Sequence, residues 1–141
     1  MINDILDGIS KAIGDTFGDI YKIYGDEETE QGVERPCFFI SLVTSSTKNE
    51  PSKRYLDLNT FEISFFPAAK KSRAEMHTVG DALKNILKVL TLLNGTKLRG
   101  VNVHVEVVDG ALHFFVTYQA YTSTPNTEEP MEAFTWEGRT P

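Results

Sequence analysis

Apolar residues recur at three- and four-residue steps through Met76, Val79, Leu83, Ile86, Leu87, Leu90 and Leu93, a spacing that stacks them on one face of a helix. Ser72 followed by Glu75 has the spacing of a capping box, in which each side chain satisfies a backbone N–H that the first turn leaves unpaired. Asn94-Gly95 offers the left-handed backbone that ends helices. The pattern predicts a helix from Ser72 to Gly95, with Asp81, Lys84, Asn85 and Lys88 on or near the opposite side. Its apolar stripe needs a sheet to cover.

A second stripe, Ile2, Ile5, Leu6, Ile9, Ala12, Ile13 and Phe17, predicts an opening helix, with Asn3 or Asp4 as its cap. Gly8 and Gly14 each weaken it by up to about 1 kcal/mol relative to alanine, so it depends on packing. The surface it packs on is its own sheet or a neighbouring subunit, and its own sheet is the reading adopted. Ile20 to Tyr24 then reads as a short strand. The polar run from Gly25 to Arg35 carries Asp26, Glu27, Glu28 and Glu30 without the alternation of a calcium loop, and reads as solvated.

Pro36 opens a strand whose two faces are both apolar from Cys37 to Val43, the pattern of a central strand. Phe61, Ile63 and Phe65 alternate with polar residues, whereas Leu56 and Leu58 have the opposite parity, so a change of phase is expected around Asn59-Thr60. If Cys37–Thr47 and Tyr55–Phe66 pair as a hairpin, each strand reaches roughly 40 Å, more than a domain of this size needs. The polar tip, about Thr44 to Leu58, is therefore expected to project beyond the core. Such an arm either stays solvated or reaches onto another protein. In the second case Tyr55, Leu56 and Leu58 are its anchors, and Lys48, Lys53 and Arg54 suit an acidic partner surface.

Val101, Val103, Val105 and Val107 alternate with polar residues up to Asp109-Gly110, a favoured hairpin turn, and Leu112, Phe114, Val116, Tyr118 and Ala120 line the return. Pairing Val108 with Ala111 sets Val107 against Leu112, Val105 against Phe114, and Val103 against Val116. The other face carries His104, Glu106 and His113, with Glu106 opposite His113. These three could hold zinc or a similar metal, or form a cross-strand Glu–His pair. From Ser123 the periodicity stops, and residues 125–141 read as a tail in which Phe134 and Trp136 either fold back or dock on a partner.

The chain of 141 residues suits one domain, here residues 1–124, and its charge of −6 argues against general affinity for nucleic acid or anionic membrane. The single cysteine, Cys37, excludes an internal disulfide and is read as a buried core residue. The N-terminus lacks the pattern of a signal peptide, and no apolar run approaches a membrane span, so a reduced, cytosolic setting is expected. Phosphate-binding loops, nucleophile elbows and zinc-protease motifs are absent from the sequence. The expected fold class is α+β: a mainly antiparallel sheet with two helices on one face, in the order α-β-β-β-α-β-β, with a long projecting hairpin and an extended tail.

One stretch adds to this reading. GDIYKIYGDEETEQGVERPCFFISLV, preceded by MINDILDGISKAIGDTFG, resembles the tail terminator family of long-tailed bacteriophages and prophages through Tyr24, Gln31, Gly32, Pro36, Cys37, Phe38, Phe39 and Ile40. The resemblance implies a structural virion protein without catalytic residues or cofactors. It would form a homo-oligomeric, hexameric ring on the last layer of the tail tube, stop tail growth and dock the head connector, after assembly in the host cytoplasm. Its partners would be sister copies, the tube protein and the connector, with DNA only as passing cargo and no membrane. Two alternatives stand beside it: another head–tail connector or tube-joining protein, and a small metal-dependent enzyme using His104, Glu106 and His113.

Overall fold

Helix α1 (Ile2–Phe17) turns the first apolar stripe inward, burying Ile5, Gly8, Ile9 and Ile13. In the computed structural model, which describes residues 1–25, 34–51, 54–68 and 73–123, it is followed by β1 (Lys22–Tyr24), β2 (Cys37–Asn49), β3 (Arg54–Phe66), α2 (Arg73–Leu87), β4 (Val89–Thr91), β5 (Lys97–Val108) and β6 (Ala111–Ser123). The fold is α+β, with two helices and one mixed sheet of order β1-β2-β3-β6-β5-β4. β1 runs parallel to β2, while β5 is antiparallel to both β4 and β6. Met1 occupies the N-cap of α1 without a side-chain cap bond, and Asp4 instead pairs with the terminal ammonium at 3.4 Å, so neither Asn3 nor Asp4 caps the helix.

The chain divides into two compact units, one of Met1–Ser45 with Asn59–Gln119, the other of Ser46–Leu58 with the chain from Ala120 onward. The first holds the core. Phe38 and Phe65 present their rings to Tyr21, at 5.4 and 5.1 Å, and Phe17 closes on Phe38 at 5.4 Å, which ties the end of α1 to the sheet. Gly8 lets α1 approach β4, since a Cβ there would already lie 3.3 Å from Leu92. β2 is an inner strand, as its apolar faces predict, with Cys37, Phe38 and Ile40 buried. On the face shared by Cys37, a second cluster gathers Phe66 and Ala111, flanked by Tyr24 and Phe39.

Helix α2 is shorter than its apolar periodicity predicts, and the order gains a strand. After Leu87 the carbonyls are taken by the sheet: Tyr118 Oη donates to Leu87 O at 2.7 Å, and Gly100 N to Lys88 O at 2.8 Å. The chain then alternates, with Leu90 and Leu92 buried and Val89 and Leu93 exposed, which is strand spacing. Leu93 therefore leaves the stripe assigned to it, and Asn94-Gly95 forms the turn between β4 and β5 instead of a helix cap, with Gly95 at φ 91°. Ser72 lies outside the described residues.

Asp109 and Gly110, both at positive φ (52° and 74°), make the expected turn, and the pairs Val108↔Ala111, Val107↔Leu112 and Val105↔Phe114 follow it. The pairing of Val103 with Val116 does not form. The register shifts between Val101 and His104, with Asn102 in the left-handed region at φ 54°, and Val103 is left 36% exposed. The change of phase expected near Asn59-Thr60 has a counterpart between β2 and β3. Ser45 bonds Asn59 across the pair, odd facing odd, whereas Phe38 contacts Phe65, even facing odd.

Burial pushes the Tyr118 hydroxyl well above its ordinary value of 10.0. The folded protein thus keeps the phenol neutral where the unfolded chain would ionise it. Its stabilising contribution is intact below pH 10 and is lost as pH rises beyond, towards the folded-state value. Alkaline denaturation is expected to flatten in Tyr118→Phe, at a cost near neutrality of about 1 kcal/mol for the lost bond. Denaturant midpoints from pH 8 to 11 (a range of about three units) check both.

Candidate functional site

Two regions carry the candidate chemistry. The first is the unit formed by Ser46–Leu58 and the chain from Ala120. Its two strand segments are joined by Thr47 Oγ1 donating to Asp57 at 2.7 Å and by Glu50 N donating to Arg54 O at 2.8 Å. Lys48 and Arg54 are exposed, and Tyr55, Leu56 and Leu58 are half-buried. The Arg54 guanidinium lies 4.4 Å over the ring of Tyr121, which is 52% exposed. Arginine on an aromatic face, open to solvent, is a ready-made contact for a protein partner. Tyr121 escaped the sequence reading. Its only signal is that it places an aromatic ring at an outward position of the alternation in which Tyr118 and Ala120 point inward. Lys53, Phe134 and Trp136 lie outside the described residues, as does the acidic group Asp26, Glu27, Glu28 and Glu30.

The second region is the face of β3, β5 and β6 that carries the histidines. Glu106 is opposite His113, as predicted, yet the two side chains part. His113 Nδ1 lies 2.7 Å from Glu62 Oε2, and Ser64 Oγ donates to the same oxygen at 2.8 Å. Glu106 takes His104 Nε2 at 2.7 Å, while the His104 ring stacks on Phe115 at 4.7 Å between centroids. The predicted trio is thereby split. β6 is flanked by β3 as well as β5, and the carboxylate from β3 reaches His113 first. Among the described residues no group of three His, Cys, Asp or Glu is placed to hold a metal.

Ser64, His113 and Glu62 have the residue types of a nucleophilic relay but not its geometry. A relay needs serine on one imidazole nitrogen and the acid on the other. Here Ser64 Oγ, at 3.2 Å, and Glu62 both meet Nδ1. A carboxylate oxygen accepts, so Nδ1–H and the Ser64 hydroxyl both donate to it, and the cluster clamps β3 to β6. Thr60 and Thr117 add a hydroxyl pair at 2.7 Å between the same strands.

Tyr21 closes the other side of the sheet. Its hydroxyl donates to Glu75 at 3.2 Å, and burial, with that carboxylate beside it, holds the phenol above its ordinary value. It is a strut between the chain after α1 and the start of α2.

A family model described as phage tail terminator protein matches residues 4–130 of the chain. The chain belongs to the phage tail terminator family. No match is found among curated proteins. Among solved structures, the terminator is similar to a chain of the virion of a native gene transfer agent particle, at 12% identity and a TM-score of 0.51, over 85% of this chain and 95% of that one. That likeness is one of fold. As a tail terminator the protein is a structural component of a phage-like virion, in a family of structural proteins and not of enzymes. No helix among the terminator's described residues is long and apolar enough to cross a membrane.

Proposed function

We propose that this tail terminator closes as a hexameric ring on the last layer of the tail tube, stops tube growth, and offers its far surface to the head connector. The observation that carries the reading is the family match, which extends over both helices and all six strands. The ring assembles in the host cytoplasm, and DNA passes through it as cargo. The segment from Thr44 to Leu58, with the tail of residues 125–141, makes the contacts to neighbouring copies or the tube. Lys48, Lys53, Arg54, Tyr55, Leu56, Leu58, Phe134 and Trp136 are the contacting residues, joined by Tyr121. The exposed Arg54–Tyr121 pair supports this assignment, because an arginine stacked on a solvent-facing aromatic is a common anchor for a protein partner.

The double variant Arg54→Glu with Tyr121→Ala separates the arm's contact role from folding. Its melting temperature is expected to stay within about 2 °C of the parent, since both groups are solvent-exposed. Its capping of tubes, scored by electron microscopy as the fraction of tubes of regulated length, is expected to fall by about tenfold or more. Unchanged capping would remove the arm from the interface.

A further inference from the structure

We infer that the open edge of β5 takes a strand from a neighbouring copy, tail residues 131–137, with Phe134 and Trp136 seated between β5 and α2. This rests on the ring reading and names a contact that joins its copies. β4 pairs only with residues 97–99 of β5, and no described strand lies beside residues 101–108 on that side. The pair flanking a two-residue turn, here Val108 and Ala111, exchanges both backbone bonds, and such pairs recur at every second residue. Glu106 and His104 thus bond to β6, opposite His113 and Phe115. The N–H and C=O groups of Val105 and Val107 face the open side, at the spacing an added strand uses. Natural sheets blunt such an edge with lysine, proline or a bulge. Residues 101–108 carry five valines, no lysine and no proline, and the bulge at Asn102 ends before His104.

Beside this edge runs a groove of about 350 Å³ between β5 and α2. Val105 and Val107 line it and are only half-buried, whereas Leu112, on the same face of β6, is fully covered. Gly80 keeps the groove open, since α2 presents no side chain there; a Cβ would meet Leu112 at 3.6 Å and Val105 at 3.9 Å. Exposed His77, Asp81 and Lys84 on the rim mix signs, so apolar fit and not charge selects the occupant.

The chain itself holds a matching strand. Residues 124–141 lie beyond the described end of β6, and within them Pro130 precedes residues 131–137, MEAFTWE. As a strand, this stretch puts Phe134 and Trp136 on one face two residues apart, the spacing of Val105 and Val107. Phe, Thr and Trp are good strand formers, and a proline at a strand's start has no N–H to satisfy. Laid along β5, the stretch gains affinity from main-chain bonds to Val105 and Val107, and specificity from two aromatic rings in the groove. In a ring, each copy gives one strand and receives one, a head-to-tail contact that leaves no copy's β5 edge open.

Full-length variants test this. Val107→Pro removes only an N–H that faces the open side, so its melting temperature is expected to stay within about 4 °C of the parent. Glu106→Pro breaks a bond to β6 and is expected to lose about 10 °C or more. Association between copies, read by sedimentation, is expected to weaken about tenfold or more in Val107→Pro, and equally in Phe134→Ala with Trp136→Ala. Combining the two sets is expected to add little further loss, since both remove the same contact. A chain carrying Glu106→Cys, mixed with one carrying Thr135→Cys and treated with a short bismaleimide, is expected to give a covalent dimer that neither gives alone; Cys37 is buried away from the reagent. Additive losses, parent-like association in either variant, or no mixed dimer would overturn the inference while leaving the ring intact. So would a chain with both cysteines that links only within itself, or a dimer from Glu106→Cys alone, which would pair two β5 edges. Val107→Pro that associates normally but no longer caps tubes would assign the edge to the tube protein and overturn it too. A parent chain that forms no ring, alone or on tubes, would instead bring down the ring reading and this contact with it.

Discussion

Phe38→Ala is expected to destabilise the protein by about 3–5 kcal/mol, the usual cost of emptying a buried aromatic site. Phe38 is fully buried and its ring contacts three others: Phe17 and Tyr21 at 5.4 Å and Phe65 at 5.0 Å. Those contacts join α1, the chain that follows it, β2 and β3, so four segments lose a shared neighbour at once. The site cannot collapse cheaply, because each ring is also held from another side; Tyr21, for example, is bonded to Glu75. Its neighbour Phe39, on the opposite face, is only half-buried and stacked on Tyr24, and Phe39→Ala is expected to cost less than half as much. Urea unfolding of the two variants side by side measures the difference. Equal losses would mean that the aromatic cluster under α1 is not what holds the helix.

Gly100→Ala carries the second large effect, from one added methyl group. A Cβ at this position would lie 2.8 Å from Val116 Cγ2 and 2.9 Å from Leu87 O. The second neighbour is backbone, fixed at the end of α2 by the bond it accepts from Tyr118, so it has little room to yield. The expected cost is about 1–3 kcal/mol, typical of overpacking, and Gly100→Val should exceed it. Gly14→Ala provides the contrast. Nothing lies within 4 Å of its added Cβ, and helix propensity favours the change by up to about 1 kcal/mol. Thermal melts of the two alanine variants should therefore move in opposite directions. A neutral Gly100→Ala would show that α2 and β5 are packed less closely at their junction.

The local patterns of the sequence translate directly into structure where one period dominates. The stripe of α1, the turn at Asp109-Gly110 and the pairing that follows it are legible because each depends on residues close in the chain. The end of α2 is not. Leu87, Leu90 and Leu93 continue a helical spacing, and what stops the helix is a hydroxyl from Tyr118 and an N–H from Gly100, both distant in sequence. Val89 and Thr91, β-branched and in alternation, were the available hint. The register shift at Asn102 was equally hidden, since the four alternating valines give no sign of it.

The same reasoning explains the histidine cluster. Sequence places Glu106 opposite His113, and the structure agrees, but only the strand order reveals that β3 also borders β6 and supplies Glu62. A candidate metal site thus resolves into two separate carboxylate–imidazole contacts. The strand surplus was legible in the alternation, and β2 and β3 are longer than expected, at 13 residues each. Tyr121 was not, because its significance comes from the guanidinium beside it. Family membership entered through Tyr24 and the Pro36–Ile40 run, which build β1 and the start of β2, so the resemblance resides in packing and not in reactive groups.

Purified full-length protein incubated with growing tail tubes, and imaged in negative stain, offers the decisive comparison. Ring-shaped density at one end of each tube, together with arrest of elongation once the protein is added, is the expected result. Tubes that keep lengthening with bare ends in saturating protein would contradict a terminating role, whatever the stability of the chain itself.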